Sequence, residues 1–211
     1  MILLGLPGAG KGTQAARVKD RLGLAHITTG ELFRENIRRG TPLGKEAQPY
    51  YDAGQLVPNE LTIGMLLDRL KEPDAQRGTL FDGYPRNVEQ AQALDAALAS
   101  SGKQIDKAVY ISVPTEELVR RLAGRWSCAQ CGAVYHEQSA PPKTAGACDN
   151  CGAQLTQRSD DRPDVVRTRL QVNEENLEPL LAYYRGQGKL AEVNGEQDAD
   201  NVTRELEQVL A

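Results

Sequence analysis

The chain has 211 residues, 40% of them hydrophobic, which suffices for one sizeable core with a small appended module and excludes a disordered chain. There are 25 Lys and Arg against 29 Asp and Glu, giving a formal net charge of -4, whereas duplex-binding modules are normally basic. We therefore expect no nucleic-acid partner. No apolar run approaches the ~18 residues of a membrane span, and the N-terminal residues lack the basic region of an export signal. We expect a cytoplasmic protein with no membrane partner and, without heptads or an apolar stripe, a monomer.

Short β-type runs alternate with longer helical patterns, which is typical of a parallel sheet covered by helices on both faces. We predict five strands, near residues 2–5, 25–28, 79–82, 108–113 and 190–194. Apolar spacings of three and four residues predict helices between these strands. Candidate helix ends and helix starts are marked by glycines and prolines respectively, at Gly23, Gly40 and Gly102, and at Pro58, Pro114 and Pro163.

Two stretches break the alternation of strands and helices. Residues 30–57 have a wholly helical pattern, whereas residues 126–160 lose helical periodicity and contain all four cysteines. No low-complexity linker separates independent domains. We therefore expect an α/β core in residues 1–27, 58–123 and 162–211, with a helical insert at 28–57 and a second insert at 124–161.

A glycine-rich loop follows the first apolar run and leads into a helical pattern. Its sequence, GLPGAGKGT over residues 5–13, stands where a phosphate-binding loop requires it. In such a loop, backbone N–H groups wrap phosphate oxygens, the helix N-terminus adds its dipole and Lys11 adds a mobile positive charge. A turn of purely structural meaning is the alternative. The predicted nucleotide contacts are Gly8, Ala9, Gly10, Lys11, Gly12 and Thr13.

The loop places Gly12 directly after the lysine and a hydroxyl one position later, at Thr13. In this form it resembles the loop of the adenylate kinase family, and the resemblance extends over nearly all of the chain. It implies a P-loop NTPase-type sheet with a helical insert that binds a nucleoside monophosphate and a lid. It also implies a phosphotransferase that moves the γ-phosphoryl group of MgATP to AMP reversibly, giving two ADP. Mg2+ is then a cofactor, and ATP, AMP and ADP are the partners.

Two further segments resemble the family's monophosphate site. Residues 29–34, TGELFR, provide Arg34 to grip a phosphate, and residues 81–86, FDGYPR, end a strand with Asp82, whose carboxylate can reach Mg2+ through water. Taken alone, Thr29 could be a helix cap and Asp82 could belong to a turn. The resemblance implies an AMP site made of Thr29, Arg34, Gln55, Leu56, Val57, Gly83, Tyr84, Pro85, Arg86, Gln90, Arg158 and Arg169.

The acceptor base is predicted from two positions. Gln90 resembles the amide that reads the adenine edge in the family. Asn87 complicates this, because pyrimidine monophosphate kinases also carry the sequence Pro-Arg-Asn. Those kinases tend to have Asn where this chain has Gln90, so we favour AMP.

Arginines lie on both sides of the second insert. ATP and AMP together bring about six negative charges, so an acidic protein has to concentrate cations in one cleft. A solvated surface position is the alternative for any single arginine. The resemblance implies a catalytic set of Lys11, Asp82, Arg86, Arg125, Arg158 and Arg169. It also implies ATP contacts at Arg121, Arg125, Val134, Tyr135 and Gln197, although Tyr135 could simply pack and Gln197 could be a solvated loop amide.

The cysteines form two Cys-x2-Cys pairs, Cys128 with Cys131 and Cys148 with Cys151, with 16 residues between the pairs. This is the spacing of a tetrahedral four-cysteine metal site. Four sulfur ligands leave no open position for water, so we predict structural Zn2+ in a zinc-ribbon-like lid too small to build its own core. Two disulfides are the alternative, which a reducing compartment disfavours.

Two rival functions stay open from the sequence alone. Another nucleoside monophosphate kinase, with UMP or CMP as acceptor or GTP as donor, would share the loop and the arginines. A zinc-ribbon regulatory module would bind ATP without transferring its phosphate to AMP. The net charge of -4 and the phosphate-gripping pattern at Arg34 and Arg86 argue against the regulatory module.

Overall fold

The computed structural model describes residues 1–210, and for residues 163 and 164 it describes only the backbone. Helices and strands alternate as the periodicity predicts. In chain order the elements are β1 (Ile2–Leu4), α1 (Lys11–Leu22), β2 (Ala25–Thr28), α2 (Thr29–Arg39), α3 (Pro42–Asp52), α4 (Asn59–Leu70), β3 (Thr79–Asp82), α5 (Val88–Ala99), β4 (Ala108–Ser112), α6 (Thr115–Ala123), β5 (Arg125–Cys128), β6 (Val134–His136), β7 (Leu155–Thr156), α7 (Pro163–Gly186), β8 (Leu190–Asn194) and α8 (Ala199–Leu210).

A five-stranded parallel sheet forms the centre of the molecule, in the order β2-β3-β1-β4-β8. All five predicted strands are confirmed. Strand β1 is central, since Ile2 pairs with Phe81 on one side and with Ala108 on the other. Its three residues are buried, which explains why this strand is apolar throughout instead of alternating with polar residues.

Helices cover both faces of the sheet, as the sequence predicts. On one face Ile2, Phe81 and Tyr184 belong to a core cluster that includes residues of α4, α5 and α7. On the other face Leu3 and Val18 belong to a cluster completed by α1 and α8. Successive residues of a strand point to opposite faces, so Ile2 and Leu3 anchor the two layers from one short strand.

The helical insert between β2 and β3 contains a close helix crossing. A Cβ atom at Gly44 of α3 would lie 2.3 Å from the backbone of Asn36 in α2, so only glycine fits there. The prediction of a wholly helical stretch at 30–57 is wrong at its end, because α3 stops at Asp52. Gly54 then adopts a left-handed φ of 72°, and Pro58 is the N-cap of α4.

The predicted helix ends are correct at Gly23 and Gly40, which are left-handed C-caps, but not at Gly102. Helix α5 ends at Ala99 with Ser100 as its C-cap, and Gly102 follows two residues later in the turn, with a φ of 66°. The turn needs the left-handed glycine after the helix has already ended.

The second insert is a small antiparallel sheet in the order β6-β5-β7. Its buried cluster consists of only four residues, Cys128, Tyr135, Cys148 and Leu155. Burial of so few apolar side chains does not stabilise a sheet of such short strands by itself. The insert therefore requires another source of stability.

The carboxyl ends of the parallel strands meet at one edge of the central sheet, and the loops that follow β1 and β3 begin there. Ligands of open α/β sheets bind at this edge. Among the helices of residues 1–210, none combines the length and the apolar character needed to cross a bilayer.

Candidate active site

A cleft of about 1790 Å3 opens at the carboxyl edge of the sheet. Its walls come from the glycine-rich loop, the helical insert and the small sheet of the second insert. The two inserts also meet each other, since Ser159 Oγ donates a hydrogen bond to Asp52 Oδ1 at 3.1 Å. The volume exceeds the ~300–1,000 Å3 of pockets that hold one drug-sized ligand. The cleft therefore has room for two nucleotides.

The glycine-rich loop has the backbone that a phosphate site requires. Gly8 and Gly10 have φ values of 88° and 93°, and α1 begins at the next residue, Lys11. A Cβ at Gly8 would lie 3.1 Å from the Leu122 side chain, so close packing adds to the demand for glycine. All six residues predicted from the loop line the cleft, namely Gly8, Ala9, Gly10, Lys11, Gly12 and Thr13.

Lys11 is held over the loop by two backbone carbonyls. Its Nζ donates to Gly5 O at 2.8 Å and to Leu6 O at 3.0 Å. Burial is the main cause that lowers the pKa of Lys11 to about 8; Asp82 opposes the shift, and the nearby Arg86 and Arg169 contribute to it. Burial and neighbouring cations disfavour the charged ammonium of Lys11, and a bound anion would stabilise it again. The site therefore favours an anionic ligand.

Asp82 ends β3 beside the loop. A Cβ at Gly12 would lie 3.3 Å from Asp82 Oδ2, which accounts for glycine directly after Lys11. Burial raises the pKa of Asp82, but the polar contact with His26 and the charge of Lys11 outweigh it and hold the pKa below its usual value. The carboxylate is therefore ionised, as an oxygen ligand for Mg2+ or its waters must be.

His26 lines the cleft, although the sequence analysis does not name it as a site residue. Its Nε2 lies 3.5 Å from Asp82 Oδ2. The register of β2 and β3 could have identified His26. Thr28 of β2 pairs with Asp82, and alternate residues of a strand share a face. His26 and Asp82 therefore point to the same side of the sheet.

Most residues predicted for the monophosphate site line the cleft: Arg34, Gln55, Val57, Gly83, Pro85, Arg86, Arg158 and Arg169. Arg34 Nη1 donates to the hydroxyl of Tyr51 at 3.3 Å, and Arg86 Nε donates to Gly83 O at 2.9 Å. These bonds restrict the positions of the two guanidinium groups at the cleft wall. Tyr51, which also lines the cleft, was not predicted.

Four predicted residues do not line the cleft: Thr29, Leu56, Tyr84 and Gln90. Thr29 is the first residue of α2 and not its cap, which is Thr28. Its Oγ1 donates to Gly83 O at 2.7 Å, so it joins the helical insert to the loop after β3.

Gln90 is buried and bonded within the protein. Its Oε1 accepts the backbone N–H of Arg86 at 2.9 Å, and its Nε2 donates to Asn59 Oδ1 at 2.8 Å. One N–H and one lone pair of the amide remain for another partner. Reading of the adenine edge by Gln90 stays a prediction.

The arginines on the two sides of the second insert converge on one buried acid. Arg125 Nε donates to Asp161 Oδ2 at 2.7 Å, and Arg169 Nη1 lies 3.0 Å from Asp161 Oδ1. Burial and the charges of Arg34 and Arg125 lower the pKa of Arg158 to about 10. Asp161 had no predicted role, yet it holds two of the predicted catalytic arginines.

The residues predicted for ATP also line the cleft: Arg121, Arg125, Val134, Tyr135 and Gln197. Arg121 Nη2 donates to Gly195 O at 3.0 Å, and Gln197 Nε2 donates to Glu205 Oε1 at 2.5 Å. Both side chains are thus fixed at the end of the cleft formed by the loop after β8.

The four cysteine sulfurs lie within 4.8 Å of one another. The closest pairs, Cys128 with Cys151 and Cys131 with Cys148, have Sγ atoms 3.4 Å apart, well beyond the ~2.05 Å of a disulfide. Metal–sulfur bonds of ~2.3 Å in a tetrahedron place sulfurs somewhat under 4 Å apart, so the group fits a tetrahedral metal.

Hydrogen bonds to the sulfurs support the same reading. Backbone N–H groups of Gln130 and Cys131 point at Cys128 Sγ and lower the pKa of its thiol. The Tyr135 hydroxyl, with further backbone N–H groups, lowers the pKa of Cys148 to about 6. At these two sulfurs the bonds favour the thiolate, the form that binds metal. At Cys131 and Cys151, backbone N–H groups act in the same direction, but contacts with the neighbouring sulfurs outweigh them and raise the pKa of the thiol.

Comparison with known proteins agrees with this geometry. A family model described as adenylate kinase matches residues 3–189. The chain belongs to the adenylate kinase family. An adenylate kinase of Moorella thermoacetica is 51% identical over 197 residues, which cover 93% of this chain and 91% of the relative. One of Archaeoglobus fulgidus is 48% identical over 210 residues, which cover 100% of this chain and 97% of the relative.

Membership in the adenylate kinase family confirms the resemblance seen in the loop and makes the chain a phosphotransferase. Adenylate kinases use Mg2+ with ATP, and the ionised Asp82 beside the loop fits that requirement. These matches extend over nearly the full length of the chain, so the alternative of a regulatory module is not favoured.

Proposed function

We propose that this chain transfers the γ-phosphoryl group of MgATP to AMP, reversibly, with two ADP as products. One observation carries the proposal: a single cleft holds the phosphate loop, the phosphate-gripping arginines of the helical insert and the arginines beside the lid. Burial is the main cause of the lowered pKa values of Lys11 and Arg86, and the neighbouring arginines add to it, because these cations lie close together. Such a concentration of like charge is unfavourable unless polyanions occupy the cleft.

On the donor side, backbone N–H groups of residues 8–13 and the start of α1 would hold the β- and γ-phosphates of ATP. Lys11 would leave its two carbonyl partners and turn its ammonium to the phosphate oxygens. Asp82 would orient the hydrated cation. Bound Mg2+ would neutralise part of the phosphate charge.

On the acceptor side, Arg34 and Arg86 would grip the phosphate of AMP. This phosphate is already an anionic nucleophile, so no general base is needed. Catalysis then consists of aligning the two phosphates, neutralising charge and excluding water. Arg125, Arg158 and Arg169 would meet the charge that spreads over the transferring group.

We propose that residues 124–161 form a lid and that residues 28–57 form the monophosphate-binding insert. The lid would exclude water from the cleft. The lid contacts the helical insert through Ser159 and Asp52. A lid that closes only over bound nucleotides suppresses hydrolysis of ATP.

We further propose Zn2+ for the four cysteines. All four ligand positions are sulfur, so the metal has no open site and its role is structural. It would stabilise the lid sheet, whose apolar cluster is small. Thiols in this arrangement suit a reducing compartment such as the cytoplasm.

The exposed apolar surface supports a monomer. Among residues 1–210 the large exposed apolar side chains, Leu22, Leu43, Tyr50, Val119 and Val134, are spread over α1, α3, α6 and β6. Stable dimers need a contiguous apolar patch, which a distribution of this kind does not provide.

AMP is the favoured acceptor because the structure gives Asn87 another role. Its Oδ1 accepts the N–H of Gln90 at 2.8 Å as the N-cap of α5. A helix cap accounts for this asparagine without a pyrimidine acceptor.

The test is a coupled assay of ADP formation with AMP, CMP, UMP and GMP as acceptors and with ATP or GTP as donor. We expect ATP and AMP to give the highest kcat/KM and a five-phosphate diadenosine probe to inhibit. Preference for a pyrimidine acceptor would overturn the proposed substrate, and an inert response to the probe would refute a cleft that holds two nucleotides.

A further inference from the structure

Tyr135 lies between the cleft wall and the four-cysteine site. It is the middle residue of β6 and pairs with Trp126 of β5. Its side chain lines the nucleotide cleft, yet only 9% of the residue is exposed, whereas the adjacent Val134 is 48% exposed. Most of Tyr135 is therefore inside the lid, with one part at the cleft wall.

The hydroxyl of Tyr135 reaches the second cysteine pair. It accepts the backbone N–H of Asp149 at 2.7 Å and lies 3.5 Å from Cys148 Sγ. The N–H of Asp149 occupies a lone pair of the hydroxyl oxygen, so the hydroxyl proton is free to point at the sulfur. A metal-bound thiolate carries no proton and can only accept such a bond.

The loop that carries Cys148 and Cys151 is closed by its own backbone bonds, Cys148 N–H to Ala153 O and Gly152 N–H to Cys148 O. These two bonds lie within the loop and do not involve β6. The Tyr135 hydroxyl joins the loop to β6, because it contacts both Cys148 and Asp149.

We propose that Tyr135 is a positioning residue that couples occupancy of the four-cysteine site to the shape of the ATP side of the cleft. The inference rests on the proposed function, in which β6 faces ATP. With a metal bound, the thiolate of Cys148 holds the hydroxyl, and the hydroxyl holds the ring at the wall. Loss of the metal frees the Cys148 sulfur to move, so that it no longer fixes the hydroxyl, and the ring loosens.

The inference predicts which nucleotide responds to the metal. Apart from Arg158 and Arg169, the residues predicted for the monophosphate side belong to α2, to the segment after α3 or to the region after β3, and Tyr135 is not part of these segments. Metal removal should therefore weaken binding of ATP and leave binding of AMP nearly unchanged. A general loss of folding would weaken both.

The experiment compares wild type with Tyr135→Phe, which keeps the ring and removes only the hydroxyl. Tyr50→Phe, on the exposed side of α3, is the matched control. Calorimetry measures binding of ATP and of AMP separately, with and without the metal. We expect Tyr135→Phe to weaken ATP binding several-fold in the loaded protein and to make it insensitive to metal removal, so that the two effects do not add.

Two readouts report on the metal site itself. Transfer of Zn2+ to a chromogenic chelator should be about 10-fold faster in Tyr135→Phe, the lower end of what loss of an outer-shell partner costs in affinity. In protein loaded with Co2+, the thiolate-to-metal absorption band should shift, because one sulfur loses a hydrogen bond. Tyr50→Phe should change neither.

Three results would overturn the coupling: an unchanged release rate with an unchanged Co2+ spectrum, ATP affinity equal to that of wild type, or equal loss of ATP and AMP binding. Failure of the proposed function is a separate outcome. It would show as binding of both nucleotides by wild type without formation of ADP, and the binding and release data would still test Tyr135.

Discussion

Arg125 and Asp161 form a two-pronged ion pair across the base of the lid. The Nε of Arg125 lies 2.7 Å from one carboxylate oxygen, Nη2 faces the other, and the Asp161 side chain is fully buried. Arg125 is the first residue of β5, where the chain enters the lid, and Asp161 lies where the chain leaves it. Under the proposed function, this contact joins a hinge of the lid to an arginine that binds phosphate.

Arg125→Ala should lower kcat about 100-fold or more, the cost of removing one donor that stabilises a developing charge. The lid should stay folded, since the cysteine site and its sheet are left in place. Steady-state kinetics and thermal melting measured side by side check this. An unchanged kcat would remove Arg125 from the charge-neutralising set.

Asp161→Asn tests positioning by the partner of that arginine. Because Asp161 holds both Arg125 and Arg169, we expect kcat to fall about 10-fold through misalignment, with both guanidinium groups still present. Asp68→Asn, at an exposed pair with Lys71, is the control and should have wild-type kinetics. Equal kcat in the two variants would contradict the positioning role.

ATP affinity should depend on pH through Lys11. Burial lowers its pKa from 10.5 to about 8 in the free protein, whereas bound phosphate favours the charged ammonium and raises that pKa again. Above about pH 8, binding must therefore take up a proton, and affinity should fall as pH rises. Calorimetry at pH 8.5 in buffers of different ionisation enthalpy measures that uptake.

Lys11→Arg is the control for the pH effect, since arginine stays charged over this range. Its ATP affinity should be flat from pH 7 to 9. If wild type takes up no proton at pH 8.5, the lowered pKa of Lys11 has no part in ATP binding.

Asp82→Asn should raise the Mg2+ concentration that gives half-maximal rate, because an amide oxygen is a weaker ligand than a carboxylate for Mg2+ and its waters. Titration of Mg2+ at fixed ATP measures it, with Asp68→Asn again as control. Mg2+ dependence equal to that of wild type would exclude Asp82 from the cation site.

The sequence predicts the central sheet well, because its strands are short apolar runs between strong turn signals. It does not predict the lid strands. Strand β7 has only two residues, too few for any periodicity, and it exists because Ser127 and Cys128 offer it a partner. The cysteine spacing predicts that a folded unit is present, although not its sheet.

The sequence predicts site residues that lie in contiguous motifs. It does not predict residues whose role depends on a contact with a residue far away in the sequence. The loop around Lys11 reveals itself through glycine spacing. Asp161 pairs with Arg125 across 36 residues, and His26 faces Asp82 only through the register of two parallel strands. Such contacts depend on tertiary geometry, which a single sequence does not display.

Gln90 has contacts that the sequence does not reveal. Its spacing from Arg86 corresponds to one helical turn, and the family resemblance implies that its amide reads the adenine edge, which stays a prediction. In the structure that amide is bonded to the Arg86 backbone and to Asn59. A buried amide must satisfy its own donors and acceptor first, and the sequence does not show which partners are near.

Removal of the metal should lower the melting temperature by about 5 °C or more, because a few kcal/mol of binding energy then no longer stabilise the fold. The loss should begin in the lid, so limited proteolysis should cut first within residues 124–161. Differential scanning calorimetry of loaded and chelator-treated protein measures the shift, and reloading with Zn2+ should reverse it. The double variant Cys148→Ser, Cys151→Ser is the control and should melt at one temperature with or without chelator. If chelator-treated wild type has the same melting temperature as the loaded protein, the metal does not stabilise the lid.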